Sequence, residues 1–309
     1  MRISTAQIYS ANLATMSQQQ SDLLTLQQQI STGKRVLRPS DDPVAAAHAL
    51  VVTQSNSLNT MQMESQGVAK DSLKLLDKKL EYIGDILTYV KTQAVYAGNG
   101  SLSSEEKMSM ASDISAQFDA LLSLANSRDS NDEFMFSGYK GDTQPFITVG
   151  GGVEYQGDQG SRCLQVSSTR QIPINVNGSE LFMSIDDGAG GKTSMFAIVS
   201  NFVPTLQDSS LSNTAYTAAL STVMGQLDFA IDNTLCLSAQ TGSREVEVES
   251  LMSMGEDLEI QYSDTINRLV GVDYTSAISD YQQQKTYLEA AYNSFSQVSG
   301  LSLFKYING

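Results

Sequence analysis

Apolar residues recur at alternating steps of three and four along residues 73–94, and this rhythm constrains the fold more than any other feature of the 309-residue chain. Such steps place every member on one face of an α-helix, and that face must be covered for the helix to be stable. The pattern therefore predicts a long helix packed against other helices. Its seam consists of Leu73, Leu76, Leu80, Ile83, Leu87, Val90 and Ala94.

Short capping motifs mark where this helix and the next one begin. Asp42 followed by Pro43 supplies an acidic cap and a proline at the first helical position, and Gly98 is typical of a helix end. Ser103 and Glu106 form a capping box, which predicts a second helix behind it. The seam of this second helix consists of Ala111, Ile114, Phe118, Leu121 and Ala125.

A thinner form of the pattern occurs at both ends of the chain, on helices that carry glutamine triplets. The first of these helices is predicted to end at Gly33. Two helices of roughly 30 residues, or ~45 Å, with so few apolar residues would pair only weakly. We therefore expect the first and last helices to pack together and to become stable among other copies of the chain. The predicted assembly interface consists of Tyr9, Met16, Leu23, Ile30, Tyr281, Leu288, Ala291, Phe295, Val298, Leu301, Leu303 and Phe304.

The middle of the chain changes character from Phe134 to about Pro204, where Gly, Asn and Asp are frequent and apolar residues alternate. Segments 153–155 and 164–166 flank the turn G-D-Q-G and predict a β-hairpin. Alternation over residues 172–176 leads into Asn-Gly, a strong turn signal. This region is therefore predicted to be a small β-rich insert.

Heptads resume after the insert. A seam from Leu220 to Leu237 predicts a helix that ends near Gly242, and a looser seam from Val248 to Leu269 predicts another that ends at Gly271. The predicted fold class is mainly α, with a long antiparallel helical bundle or coiled coil built from both chain ends and a small β-rich inserted domain. The expected domains are a terminal coiled coil (1–35 and 274–309), a helical bundle (36–133 and 206–273) and an outer insert (134–205).

The composition excludes several classes of partner. A formal net charge of −15 argues against nucleic acid and anionic membranes, which repel an acidic surface. No apolar run approaches the ~20 residues that span a bilayer. The start, MRISTAQIYSANL, lacks the pattern of a secretory signal, so we expect a cytoplasmic protein or one exported without a cleaved signal.

The sequence offers no convincing catalytic, cofactor or metal site. His48 is the single histidine and is predicted to be a partly exposed helical residue. Segment 186–193, DDGAGGKT, lacks the first glycine of a phosphate loop, and its two aspartates would repel phosphate. Segment 128–133, RDSNDE, departs from a calcium loop where Phe134 replaces the required glycine.

The two cysteines and one cluster of basic residues are the remaining chemically distinctive groups. Cys163 and Cys236 have no metal-type spacing and are predicted to be free thiols, buried as small apolar groups. Lys34, Arg35 and Arg38 form a basic cluster. In a chain this acidic, the cluster is expected to pair with acidic groups within the molecule or across an assembly.

Three blocks of sequence resemble a known family. They are QQQISTGKRVLRPSDDPVAAAHAL (27–50), DEFMFSGYKGDTQPF (132–146) and the tail from Asp273 to Ile307, which closes on LEAAYNSFSQVSGLSLFKYI. The chain resembles the hook-associated protein 3 branch of the bacterial flagellin family over its whole length, most weakly in the insert. The aromatic-rich tail is more like hook-associated proteins than filament flagellin.

This resemblance implies a structural, non-enzymatic role at the junction between the flagellar hook and filament. It implies export through the flagellar type III apparatus and an extracellular location. The implied partners are copies of the chain, another hook-associated protein on the hook side, flagellin on the filament side, and a cytoplasmic chaperone on the C-terminal helix. Two other assignments stay open: filament flagellin itself, and a type III secreted effector or tip protein.

Overall fold

The computed structural model describes residues 5–99, 102–208 and 210–307, and for residues 5, 6, 8 and 298–307 it describes the backbone alone. The chain divides into two compact units. We call Met1–Thr60 with Glu256–Gly309 the terminal unit, and Met61–Gly255 the central unit. The predicted mainly α fold with a few small strand pairs in the middle is confirmed. The three-domain division stays a prediction.

Six α-helices account for most of the described residues, and their ends follow the capping motifs. The Asp42 carboxylate accepts a hydrogen bond from the Ala45 N–H at 3.0 Å, and the helix that begins at Pro43 ends one residue before Gly98. The capping box between Ser103 and Glu106 is present. The helices are α1 (Thr5–Thr32), α2 (Pro43–Ala97), α3 (Ser104–Ala125), α4 (Met195–Gln207), α5 (Asn213–Val270) and α6 (Tyr274–Ile307).

Two helix predictions are wrong. Gly242 does not end a helix, because α5 runs through it as one element of 58 residues. A glycine inside a helix costs only about 1 kcal/mol relative to alanine, so apolar packing on either side can override it. Residues 195–205, predicted as the end of the insert, lie in α4 (Met195–Gln207), which contains Pro204. Its buried residues Met195, Ile198, Val199, Phe202 and Leu206 follow helical spacing, but Pro204 is unfavourable inside a helix and weakens that signal.

Three antiparallel strand pairs form the β structure of the described residues. Each pair is a two-stranded sheet of its own, so the insert has no extended sheet. The strands are β1 (Phe146–Val149) with β2 (Gly152–Tyr155), β3 (Cys163–Gln165) with β4 (Gln171–Pro173), and β5 (Ile185–Asp186) with β6 (Lys192–Thr193).

The predicted hairpin between segments 153–155 and 164–166 is wrong. β2 pairs with the preceding strand, in a register that places Val149 opposite Gly152. The intervening Gly150 and Gly151 have φ of +59° and +88°, as a two-residue hairpin turn of the primed type requires. Glycine pairs therefore identify the real turn, while G-D-Q-G only connects two hairpins.

The predicted Asn-Gly turn does not form a hairpin either. Gly178 has φ −63° and ψ −32°, a right-handed conformation, and leads into the π-helix Ser179–Met183. The Asn177 carboxamide oxygen accepts a hydrogen bond from the Ser179 N–H at 2.8 Å. A Cβ at Gly178 would collide with the carbonyl oxygen of Phe136, so close backbone approach explains this glycine.

The core of the central unit contains the predicted seam of α2. All seven seam residues between 73 and 94 are at most 1% exposed, which confirms the prediction. An aromatic cluster joins the insert to this core: the Phe146 ring centroid lies 5.0 Å from that of Phe182 and 5.2 Å from that of Phe196. Phe182 and Phe196 are stacked at 5.3 Å. The insert is thus built into the helical core.

The β3–β4 hairpin packs on the helices through a second, smaller core. Val166 and Ile172 lie fully buried among Ala69, Leu73 and Val248. The Gln66 amide donates a hydrogen bond to the carbonyl of Val166 at 2.6 Å. An ion pair supports the same contact, since the Arg170 guanidinium donates to both carboxylate oxygens of Glu247.

Truncation of a seam residue should destabilise the central unit. Leu87 is 0% exposed, so Leu87→Ala removes buried methyl groups and leaves a cavity, at an expected cost of about 2–5 kcal/mol. Leu235 is 60% exposed on α5, and Leu235→Ala should change stability by less than about 0.5 kcal/mol. Urea unfolding followed by circular dichroism measures both, and equal effects would contradict this account of the core.

Candidate assembly interface of the terminal helices

Helices α1 and α6 pack against each other in antiparallel orientation. At one end, the ring of Tyr9 lies 5.0 Å from that of Phe295, centroid to centroid. At the other end, Gly33, just after α1, lies beside Tyr274, the first residue of α6. This arrangement confirms that the two polar ends of the chain meet.

The contact between the two helices buries little. Among the described side chains of α1 and α6, Met16 and Ala277 are the buried apolar ones. The rings of Tyr9, Tyr287 and Tyr292 are each about half exposed, at 49%, 50% and 49%. A helix pair that leaves this much aromatic surface in water has unused capacity for neighbours.

The predicted interface residues differ in burial. Met16 is buried and Tyr9 is exposed, whereas the remaining described members are partly buried between α1 and α6: Leu23, Ile30, Tyr281, Leu288, Ala291 and Phe295. The side chains of Val298, Leu301, Leu303 and Phe304 lie outside the described residues. An assembly role for all twelve stays a prediction.

A small cavity lies between α1 and α6. Its volume is about 140 Å³, and Asn12, Met16, Ala291 and Phe295 are among its lining residues. One turn along α1, the buried carboxamide oxygen of Gln19 has no hydrogen-bond partner. A buried polar atom without a partner destabilises the isolated pair, because it has lost its hydrogen bonds to water.

A backbone bridge fixes the base of the helix pair. The Arg35 N–H donates to the carbonyl of Val270 at 2.8 Å, and the Val272 N–H donates to the carbonyl of Gly33 at 3.0 Å. These bonds form an isolated antiparallel bridge between Lys34 and Gly271. The two connecting loops are therefore hydrogen-bonded to each other just where α1 ends and α6 begins.

Arg35 supplies the electrostatic part of this junction. Its guanidinium donates to the carbonyl of Leu269 at 3.0 Å and lies 3.1 Å from the carboxylate of Asp42. The Ala45 N–H and then Arg35 hold the pKa of Asp42 below its usual value. The basic cluster thus pairs within the molecule at Arg35.

Sequence reasoning missed this bridge. The available signal was a pair of glycines, Gly33 and Gly271, each placed directly after a predicted helix. Which loops pair depends on long-range contact, and a single sequence does not show it. Gly33 has φ +70°, a conformation that favours glycine.

Other kinds of site receive little support. Among the described residues, no group of three or more His, Cys, Asp and Glu side chains could hold a metal ion. None of the helices in the described segments is long and apolar enough to cross a membrane. Cys163 and Cys236 are free thiols but both are exposed, so the prediction that they are buried is wrong.

Comparison with known proteins identifies relatives along the whole chain. Residues 3–141 match the family described as the bacterial flagellin N-terminal helical region. Flagellar hook-associated protein 3 of Escherichia coli (strain K12) is 34% identical over 316 aligned residues, covering 99% of both chains. The protein of the same name from Salmonella typhimurium is 32% identical, with the same coverage.

Solved structures share the fold. The crystal structure of flagellar hook-associated protein 3 from Legionella pneumophila matches with a TM-score of 0.66 and 19% identity, covering 71% of this chain and 98% of that one. A putative flagellar hook-associated protein from Vibrio parahaemolyticus matches with a TM-score of 0.68 and 19% identity, covering 75% and 100%.

Alanine at position 33 should loosen the base of the α1–α6 pair. The positive φ of Gly33 strains any other side chain, and a Cβ there would lie 2.9 Å from the Tyr274 hydroxyl oxygen. We expect Gly33→Ala to lower the local free energy of unfolding by about 1–3 kcal/mol. Gly225→Ala is the matched control, since that site is helical and open, and alanine should stabilise it by up to about 1 kcal/mol. Amide hydrogen exchange near each site measures both; unchanged exchange around Gly33→Ala would contradict the role of the bridge.

The terminal helices should be the least protected helices of an isolated monomer. In dilute solution, amide hydrogens of residues 9–30 and 277–295 should exchange faster than those of residues 73–94, because their seam buries so little. Hydrogen exchange with mass spectrometry measures the difference. Equal protection in all three segments would show that the pair is stable without neighbours.

Proposed function

The chain belongs to the flagellar hook-associated protein 3 family of the flagellins, and on that basis we propose that it is a structural subunit that joins the hook to the filament of the bacterial flagellum. The full-length relationship to the Escherichia coli and Salmonella proteins of that name is the observation that carries the proposal. The α1–α6 pair supports it from within the molecule. Its role is mechanical, not catalytic.

The shallow burial of the terminal helices fits a subunit that is completed by its neighbours. Burial of apolar surface contributes roughly 25 cal/mol per Å². Tyr9, Tyr287 and Tyr292 keep half of their surface for such a contact, and their hydroxyls can bond to the glutamines of an adjacent coil. Packing of these helices against those of other copies would carry force across the joint.

The surface that joins the copies also suggests how assembly is delayed. The chain would leave the cell through the flagellar type III apparatus, without a cleaved signal, and would reach the extracellular flagellum unfolded. A cytoplasmic chaperone on the C-terminal helix would cover Leu288, Phe295, Leu301 and Phe304 before export. Masking these residues prevents premature association. Outside, the partners would be copies of the chain, another hook-associated protein on the hook side and flagellin on the filament side.

Removal of the last helical turns should abolish incorporation into the flagellum. A chain that ends at Gly300 lacks Leu301, Leu303 and Phe304 but keeps the core of the central unit. We expect cells that carry it in place of the intact gene to show hooks without filaments, with flagellin shed into the medium. Electron microscopy of the cells measures this, and circular dichroism of the purified variant checks its fold.

A matched control ends at Ile307 and lacks only residues 308 and 309. It should assemble and support swimming. Normal filaments on cells with the longer truncation would refute the role of the tail in assembly. Two further experiments test the alternatives. Normal swimming of a strain that lacks the whole gene would favour a secreted effector. Long filaments formed by the purified chain alone would favour filament flagellin.

A further inference from the structure

A polar cavity of about 340 Å³ lies in the central unit, between α5 and the segment that contains the π-helix. Arg244 and Gln240 contribute to it from α5, and Asn175, Asn177, Ser184 and Glu180 from the opposite side. Amide and hydroxyl groups dominate this lining. The cavity is formed entirely within the central unit and does not depend on the terminal helices.

Arg244 is the unusual member of this lining. The next three acidic residues on α5 have cationic partners: Glu245 pairs with Lys74, Glu247 with Arg170 and Glu249 with Lys70. Arg244 is half-buried, and among the described residues no carboxylate pairs with it. Its planar guanidinium has five N–H donors, and a carboxylate can accept two of them side by side.

The opposite side of the cavity is held in shape by its own hydrogen bonds. The buried Asn175 carboxamide oxygen accepts from the Arg162 N–H at 2.8 Å. The Asn177 amide donates to the carbonyl of Asp158 at 3.2 Å, and the Ser184 hydroxyl donates to the carbonyl of Ser179 at 3.0 Å. A site formed in advance in this way does not have to be ordered by its ligand.

Size and charge narrow the class of ligand. At about 340 Å³ the cavity is large enough for a whole small molecule, and far larger than one acidic side chain needs. Glu180 brings a negative charge to the same lining, which disfavours a multiply charged anion such as phosphate. The same carboxylate can accept hydrogen bonds from hydroxyl groups.

We propose that this cavity binds a hydroxylated carboxylate, of which an acidic monosaccharide is the simplest example. The Arg244 guanidinium holds the carboxylate through paired hydrogen bonds. Gln240, Ser184 and Glu180 hydrogen-bond the hydroxyl groups. This division of roles places the single cation of the lining against the single charge of the ligand.

Titration of the full chain with D-glucuronate by isothermal calorimetry tests the proposal. We expect binding to the wild type and a loss of roughly tenfold or more in Arg244→Gln, because a charge-assisted hydrogen bond is removed. Arg268→Gln is the matched control, since Arg268 is an exposed arginine on the same helix, and it should bind as the wild type does. Arg244→Lys keeps the charge but not the paired donors, so its affinity for glucuronate should lie between that of the wild type and that of Arg244→Gln.

Two further ligands test the two halves of the site. Glucose lacks the carboxylate and acetate lacks the hydroxyls, so both should bind at least several-fold more weakly than glucuronate. Acetate that binds as tightly as glucuronate would reduce the site to a simple anion site and overturn the proposal. Absence of glucuronate binding to the wild type, or undiminished binding to a folded Arg244→Gln, would also overturn it. Loss of junction assembly in Arg244→Gln without any glucuronate binding would also overturn it, and would indicate a contact between copies at Arg244.

Cys236 provides an independent readout. Its sulfur lies 3.6 Å from the amide nitrogen of Gln240, a lining residue, and its thiol is exposed. A ligand in the cavity should slow the reaction of this thiol with a maleimide reagent, and Arg244→Gln should remove the protection. Labelling of Cys236 that glucuronate leaves unchanged would contradict binding next to Gln240.

Discussion

Burial of one apolar seam is the interaction on which the central unit depends. Seven residues between positions 73 and 94 are removed almost completely from water, and six of them, from Leu76 onward, share one core with the seams of α3 and α5. Because this core includes Phe146, Phe182 and Phe196, it also fixes the insert. The three short strand pairs would be unstable as isolated hairpins, and their attachment to the helices gives them a defined position.

The terminal unit is held together by a different balance of forces. Among the described side chains of its helix pair, few apolar residues are buried, and the buried carboxamide oxygen of Gln19 has no hydrogen-bond partner. Backbone hydrogen bonds between Arg35 and Val270 and between Val272 and Gly33 fix the base of the pair. A pair that is fixed at its base yet incompletely covered along its length suits a subunit whose helices are completed by those of other copies.

The central unit combines this core with a small set of charged contacts at its surface. Pairs such as Arg170 with Glu247 and Lys70 with Glu249 join α5 to neighbouring elements, and their net contribution to stability is modest because they are exposed to solvent. Arg244 stands apart, because it lines a cavity and forms no ion pair with the described residues. The same helix thus carries packing residues, ion pairs and a candidate binding group.

The sequence by itself determined the helical class, the starts of α2 and α3, the buried seams and the meeting of the two chain ends, because helix period and capping are encoded by residues close together in the chain. It missed α4, in which Pro204 weakens the helical signal, and it placed a helix end at Gly242, where packing overrides the glycine. It also paired strands across G-D-Q-G and not across Gly150 and Gly151. Only the tertiary structure decided the loop bridge between Lys34 and Gly271 and the cavity around Arg244, because both bring together residues that lie far apart in the chain.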